Sequence, residues 1–173
     1  MNVLIACEES QTVCMAFRNL GINAYSCDIL PSSGGNPQWH FQADVFEIIK
    51  NNGGTLENGQ EYHIENGTWD LMIAHPPCTY LAVSGARWLY NKDGSRNEER
   101  FKNQSDAIDF IDRLWNCGIP KIAIENPIGF LSTMSELYEP NQIIQPWQFG
   151  HGETKATCLW LNDLPKLKPT LFL

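Results

Sequence analysis

A cysteine directly behind two prolines, in His75-Pro76-Pro77-Cys78, is the residue of this chain best placed for nucleophilic chemistry. Proline fixes φ and has no N–H, so it ends a strand's ladder and stiffens the backbone. The run Trp69-Asp70-Leu71-Met72-Ile73-Ala74 in front of it reads as a buried strand. Cys78 then lies just past a strand end, where open α/β sheets keep their ligands. A thiolate presented there suits covalent catalysis. Three more chemistry-bearing positions end other apolar runs: Asp28, Asp44 and Glu125, the last within Glu125-Asn126-Pro127. A carboxylate accepts two hydrogen bonds at once, so Asp28 suits a ribose diol and Asp44 an adenine amino group. The alternative for both acids is to cap a turn.

Four strands must stand in front of these residues. Residues 3–6 are a short apolar run, read as the first strand. Residues 11–20 follow with Val13, Met15, Ala16, Phe17 and Leu20 at helical spacing, Ser10 as N-cap and Gly21 as stop. Residues 24–27 read as a second strand ending at Asp28, and 31–37 as a loop of Pro, Ser, Gly and Asn. Residues 38–43 hold a short third strand ending at Asp44, and 45–50 a helix. Residues 51–67 are polar and rich in Gly and Asn, a hairpin or a loose loop. Residues 70–74 form the fourth strand, 104–115 an amphipathic helix and 121–124 the fifth strand. Residues 142–148 and 156–161 read as a closing strand pair, and 164–169 as a tail spaced by Pro and Lys. This alternation predicts an α/β fold with a doubly wound, mostly parallel sheet. No linker or internal repeat divides residues 1–173, so a single domain is expected. Residues 84–103 fit no one element and mix aromatic with basic side chains: Arg87, Trp88, Tyr90, Lys92, Arg96, Arg100 and Lys102.

Composition narrows the class. Hydrophobic residues at 43% and charged residues at 18% are those of an ordinary globular protein. No apolar run approaches the roughly 18 residues of a membrane span. The start, Met1-Asn2-Val3-Leu4-Ile5-Ala6, lacks the basic region of a signal peptide, so a cytoplasmic protein is expected. The six cysteines form no CxxC and no spacing with His that completes a zinc site; free thiols and no metal are expected. A net charge of −8 argues against a broad, non-specific grip on nucleic acid and leaves room for a local basic patch.

Pro-Pro-Cys after the fourth strand and Glu-Asn-Pro after the fifth, in this order, give the chain a resemblance to the cytosine-5 DNA methyltransferases over nearly its whole length. His75-Pro76-Pro77-Cys78 matches that family's Pro-Cys loop, and Ile124-Glu125-Asn126-Pro127 its Glu-Asn motif. Asp28 matches the acid that holds the ribose of S-adenosyl-L-methionine (AdoMet), and residues 149–159 a later substrate-gripping segment. The resemblance implies the Rossmann-like methyltransferase fold, AdoMet as cofactor and cytosine-containing DNA as partner. It implies that Cys78 adds to C6 of cytosine, that Glu125 binds N3 and the exocyclic amine, and that Asn126 supports the loop. It places the cofactor against Cys7, Glu8, Glu9, Ser10, Asp28, Ile29, Asp44, His75 and Pro76, and the substrate against Pro77, Thr79, Arg87, Lys155 and Thr157.

The chain departs from the pattern in three places. The family's first loop is Gly-rich; here it reads Cys7-Glu8-Glu9-Ser10-Gln11-Thr12. The family's Gln and two Arg positions after Gly150 hold Glu153, Lys155 and Thr157. The separate target-recognition domain has no room, so residues 84–103 stand as its only substitute, or a protein partner supplies recognition. Two other readings stay open. One is another enzyme, modifying pyrimidine nucleotides at C5 or, with a poorer fit at His75 and Cys78, methylating amino groups. The other is a catalytically silent protein that binds AdoMet or a partner, of anti-defence type.

Overall fold

The computed structural model describes residues 1–135 and 137–171. The strands are β1 (Asn2–Ala6), β2 (Asn23–Asp28), β3 (His40–Gln42), β4 (Gly53–Thr55), β5 (Glu61–His63), β6 (Leu71–Ala74), β7 (Lys121–Pro127), β8 (Gln142–Ile144) and β9 (Thr157–Asn162). The helices are α1 (Thr12–Asn19), α2 (Val45–Asn51), α3 (Glu98–Trp115) and the single turn α4 (Leu131–Met134). Seven strands form one mostly parallel sheet in the order β3-β2-β1-β6-β7-β9-β8, and β4 pairs with β5 as an antiparallel hairpin. The chain divides into two compact units, Met1–His75 with Cys117–Ala123, and Pro76–Asn116 with the chain from Ile124 onward.

In the first unit β1 is flanked in parallel by β2 and β6, with Ala6 level with Cys27 and with Ala74. Val3, Leu4, Ile5 and Ala6 are all buried, which is why the strand reads as an unbroken apolar run rather than an alternating one. An aromatic cluster ties the hairpin to the sheet. Tyr62 of β5 stacks on Tyr25 of β2 at 4.1 Å between ring centroids, and Trp69 meets Phe41 edge-on at 6.4 Å. The Trp69 ring is fully buried, and its indole N–H donates to the Ile48 carbonyl at 3.3 Å.

In the second unit α3 turns Gln104, Ile108, Ile111 and Leu114 inward, a single helical stripe. Asn97 caps it, its side chain accepting from the Arg100 amide. The helix begins six residues earlier than the apolar periodicity predicts, and residues 83–89 form a 3-10 helix where no element was assigned. β8 and β9 form the expected closing pair, and it is antiparallel, but β8 stops at Ile144 and Pro146–Gln148 is a separate 3-10 turn. The tail is pinned by a reciprocal pair: Gln142 donates to the Leu167 carbonyl and accepts from the Leu167 amide, each at 2.8 Å.

Replacing Trp69 with alanine removes both its packing and its hydrogen bond. The expected cost is about 3–5 kcal/mol in equilibrium denaturation, against within about 0.5 kcal/mol for the exposed Trp88. A cost below about 1 kcal/mol at Trp69 would contradict this account of the core.

Candidate active site

All the cofactor candidates but Pro76, which belongs to the second unit, lie in the first unit, at the C-terminal ends of neighbouring parallel strands. From β1 the chain turns to β2 and β3 on one side, then returns to β6 on the other. Such a reversal opens a crevice beyond the strand ends. His75 extends the pairing, its amide donating to the Ala6 carbonyl at 3.0 Å. A cavity of about 280 Å³ lies here, lined by residues 7–10, Thr12, Val13 and His75.

The loop that forms this cavity folds without glycine by two means. Cys7 and Gln11 take left-handed backbone conformations, φ 58° and 59°, which side chains other than glycine rarely adopt. The second means is a network that holds them there. The fully buried Gln11 side chain accepts from the Asn36 amide and donates to the Asn36 carbonyl, each at 2.9 Å. The Ser33 amide donates to the Glu9 carbonyl, and the Ser33 hydroxyl to the Glu9 carboxylate. Glycine is still required, but on the opposing loop: a Cβ on Gly34 would lie 2.6 Å from the Ser10 carbonyl oxygen.

Glu8, rather than Ser10, caps α1. Its buried carboxylate accepts from the Val13 amide at 2.6 Å and the Cys14 amide at 3.1 Å. A carboxylate at a helix N-terminus is favoured by the free amides and the helix dipole. It also fills the place where a ligand's phosphate would bind. Asp28 ends β2 and accepts from the Leu30 amide at 2.9 Å, with Ile29 standing 76% exposed beside it. Asp44 is exposed and is the N-cap of α2, accepting from the Phe46 amide at 2.9 Å, so the turn-capping alternative describes one of its oxygens.

The catalytic candidates lie in the second unit. Of the six cysteines, all within the described residues, only Cys78 is exposed. Pro76 beneath it is buried, while Pro77 and Thr79 are exposed. Side chains hold the loop by its carbonyls. Asn126 donates to the Pro76 carbonyl at 2.9 Å, Arg100 to Thr79 at 3.0 Å and Gln104 to Tyr80 at 3.0 Å. The Cys78 carbonyl accepts from the Leu81 and Ala82 amides, both at 3.0 Å. Pro-Pro-Cys and Glu-Asn-Pro, far apart in the chain, are thus joined directly through Asn126. The Asn126 side chain is buried and its Oδ1 has no hydrogen-bond partner among the described residues. Glu125 and Asn126 are successive residues of β7, so their side chains leave opposite faces of the strand. Glu125 is half-buried, and its charge adds to burial in raising the Cys158 thiol.

The remaining substrate candidates are less engaged. Arg87 lies over the Trp88 ring, 4.6 Å from its centroid, and both are exposed. Lys155 is exposed, and the Thr157 hydroxyl donates to the Lys155 carbonyl at 3.3 Å. Arg100, one of the basic residues of 84–103, donates to the Cys78 loop at the Thr79 carbonyl. Gln104 was read only as the start of a helix; a buried amide on an otherwise apolar stripe was the signal for its role. Among the described residues no cluster of His, Cys, Asp and Glu suits a metal ion, and no helix is long and apolar enough to cross a membrane. Neither protein-family models nor curated proteins match the chain.

Burial and then the Asp28 charge push the Cys7 thiol from 9.0 up to about 12; burial and then Glu8 push Cys14 up to about 11. A raised thiol value keeps the unreactive neutral form through neutral and mildly alkaline pH. At about pH 8, iodoacetamide is expected to label Cys78 while Cys7 and Cys14 stay unmodified in the folded protein, as located by peptide mass spectrometry. Labelling of Cys7 as fast as Cys78 would contradict this assignment.

Proposed function

We propose that this chain is a cytoplasmic methyltransferase that uses AdoMet to methylate C5 of cytosine in DNA, with Cys78 as the nucleophile. The observation that carries the reading is the Asn126–Pro76 hydrogen bond, which couples the strand bearing Glu125 to the loop presenting the exposed thiol. A packing cysteine needs neither exposure nor a loop fastened in this way.

The cofactor half of the reading rests on charge. The cavity lining includes two carboxylates and one histidine, with no lysine or arginine. Glu8 already occupies the α1 N-terminus, which disfavours ligands that bind through phosphate there. A ligand carrying an ammonium and a sulfonium suits such a lining. Asp28 would accept from the ribose hydroxyls, exposed Ile29 would offer an apolar face to the adenine, and Asp44, the N-cap of α2, would accept from its amino group. AdoMet would supply an electrophilic methyl group on positively charged sulfur.

The chain's own residues carry the rest. The Cys78 thiolate adds to C6, forming an S–C6 bond and moving the C5–C6 electron pair onto the ring. The Glu125 carboxyl donates a hydrogen bond to N3 and accepts one from the exocyclic amine, stabilising the negative charge that builds on N3. C5 would then bond the methyl group as its bond to the sulfonium sulfur breaks, leaving a neutral thioether. Loss of the C5 proton to a base or water restores the C5–C6 double bond and expels the thiolate. A base within duplex DNA must first leave the stack, at a cost of a few kcal/mol. Arg87 and Trp88, exposed on residues 84–103, suit phosphate and base contact, and a protein partner can supply target recognition.

A second reading, a silent AdoMet- or partner-binding protein, is favoured by the segment after Gly150. There a lone exposed Lys155 and Thr157, whose hydroxyl turns back to the backbone, replace the family's charged grip. One experiment separates the two. The protein with AdoMet and DNA containing 5-fluorocytosine is expected to form a denaturation-resistant adduct at Cys78, absent in Cys78→Ala. AdoMet binding by calorimetry with no adduct on single-stranded DNA, duplex or nucleotide would rule out the C5 reading in favour of the silent one, unless methyl label appears on an amino group. An adduct on the nucleotide alone would reassign the substrate.

A further inference from the structure

We infer that Arg100 and Gln104 of α3 are positioning residues for Cys78, and that Gly85 is the space that admits the Arg100 guanidinium. The inference rests on the methyltransferase reading of Cys78 and adds to it residues that the Pro-Cys and Glu-Asn motifs do not contain.

The two side chains sit four apart on one helix, hence on one face. They take consecutive carbonyls of the loop: Arg100 that of Thr79, Gln104 that of Tyr80. Gln104 is 1% exposed, so its amide has no solvent to fall back on. The Arg100 guanidinium also lies over the Tyr80 ring at 5.0 Å, which orients the fork. Its backbone is fixed too, because its amide donates to the Asn97 cap at 3.1 Å. Gly85 takes no strained φ, yet a Cβ there would lie 2.7 Å from the guanidinium Nη2 and 3.4 Å from the Thr79 carbonyl oxygen. The 3-10 helix thus leaves a gap where Arg100 meets the loop. One residue beyond Tyr80, the Phe130 amide takes the Leu81 carbonyl at 2.8 Å, and a Cβ on Gly129 would come within 1.9 Å of that oxygen.

Addition of sulfur to C6 depends on where Sγ stands over the ring, and a misplacement of about 1 Å can cost a hundredfold in rate. A helix of 18 residues is a rigid mount for that purpose. Arg100 and Gln104 touch neither ring nor methyl group in this scheme; they act through the loop.

The test compares wild type with Arg100→Ala, Arg100→Lys and Gly85→Ala. The Gly85 variant displaces the guanidinium without removing it. Single-turnover adduct formation on DNA containing 5-fluorocytosine is expected to slow about a hundredfold in Arg100→Ala and Gly85→Ala, with AdoMet affinity and melting temperature unchanged. Arg100→Lys, which keeps a donor for Thr79, is expected to recover about tenfold of the loss. Wild-type rates in Arg100→Ala and Gly85→Ala would overturn the inference. If the wild type itself forms no adduct, the methyltransferase reading fails, and hydrogen exchange of the Leu81 and Ala82 amides decides the positioning role. Exchange faster by about tenfold or more in both variants supports it; unchanged exchange overturns it.

Discussion

Two consecutive prolines leave the loop before Cys78 with no amide hydrogens to donate, so whatever fastens that stretch must reach for carbonyl oxygens. This constraint organises the second unit. Asn126 supplies the donor to the Pro76 carbonyl from β7; the carbonyls from Cys78 onward are held in the same way, by the Leu81 and Ala82 amides and by Arg100 and Gln104 of α3. The exposure of Cys78 follows, because the loop is tied through its backbone and its side chain is not needed for packing. A loop held by its own cysteine would bury the thiol.

The first unit meets the opposite problem. A loop beside a cofactor commonly uses glycine to bring backbone close to the ligand. Here Cys7 and Gln11 accept left-handed conformations, Glu8 caps α1, and a glycine stands at position 34 on the facing loop. These residues set the electrostatics as well as the shape. A helix N-terminus that would welcome an anion already holds one, and the cavity is left with an acidic lining. A cationic ligand is the complement of that lining.

The parts of this arrangement legible in the sequence were those set by continuous apolar burial or by motif. β1 is buried on both faces and reads as an unbroken run, and Cys78 stands out by its prolines and strand end; Glu125 and Asn126, read as following a strand that ends at 124, lie within β7, which runs on to Pro127. The unread parts were polar contacts between distant residues. Residues 98–103 open α3 with Glu, Arg, Phe, Lys and Asn, so apolar periodicity missed them, although Arg100 faces a carbonyl 21 positions away. Ser10 looked like the cap because it sits just before the helix, yet the carboxylate of Glu8 reaches over it to Val13 and Cys14. Residues 51–67 left a hairpin and a loose loop both open; the pairing of β4 with β5 decides for the hairpin, and the stack of Tyr62 on Tyr25, a contact between distant residues, sets it against the sheet.

The central claim is that methyl transfer ends on C5 of cytosine. Its most direct measurement is incubation with AdoMet carrying a deuterated methyl group and cytosine-containing DNA, then digestion to nucleosides and mass spectrometry. The account predicts deuterated 5-methylcytosine with wild type and none with Cys78→Ala. Label found on the exocyclic amine, or label on C5 that persists in Cys78→Ala, would contradict it.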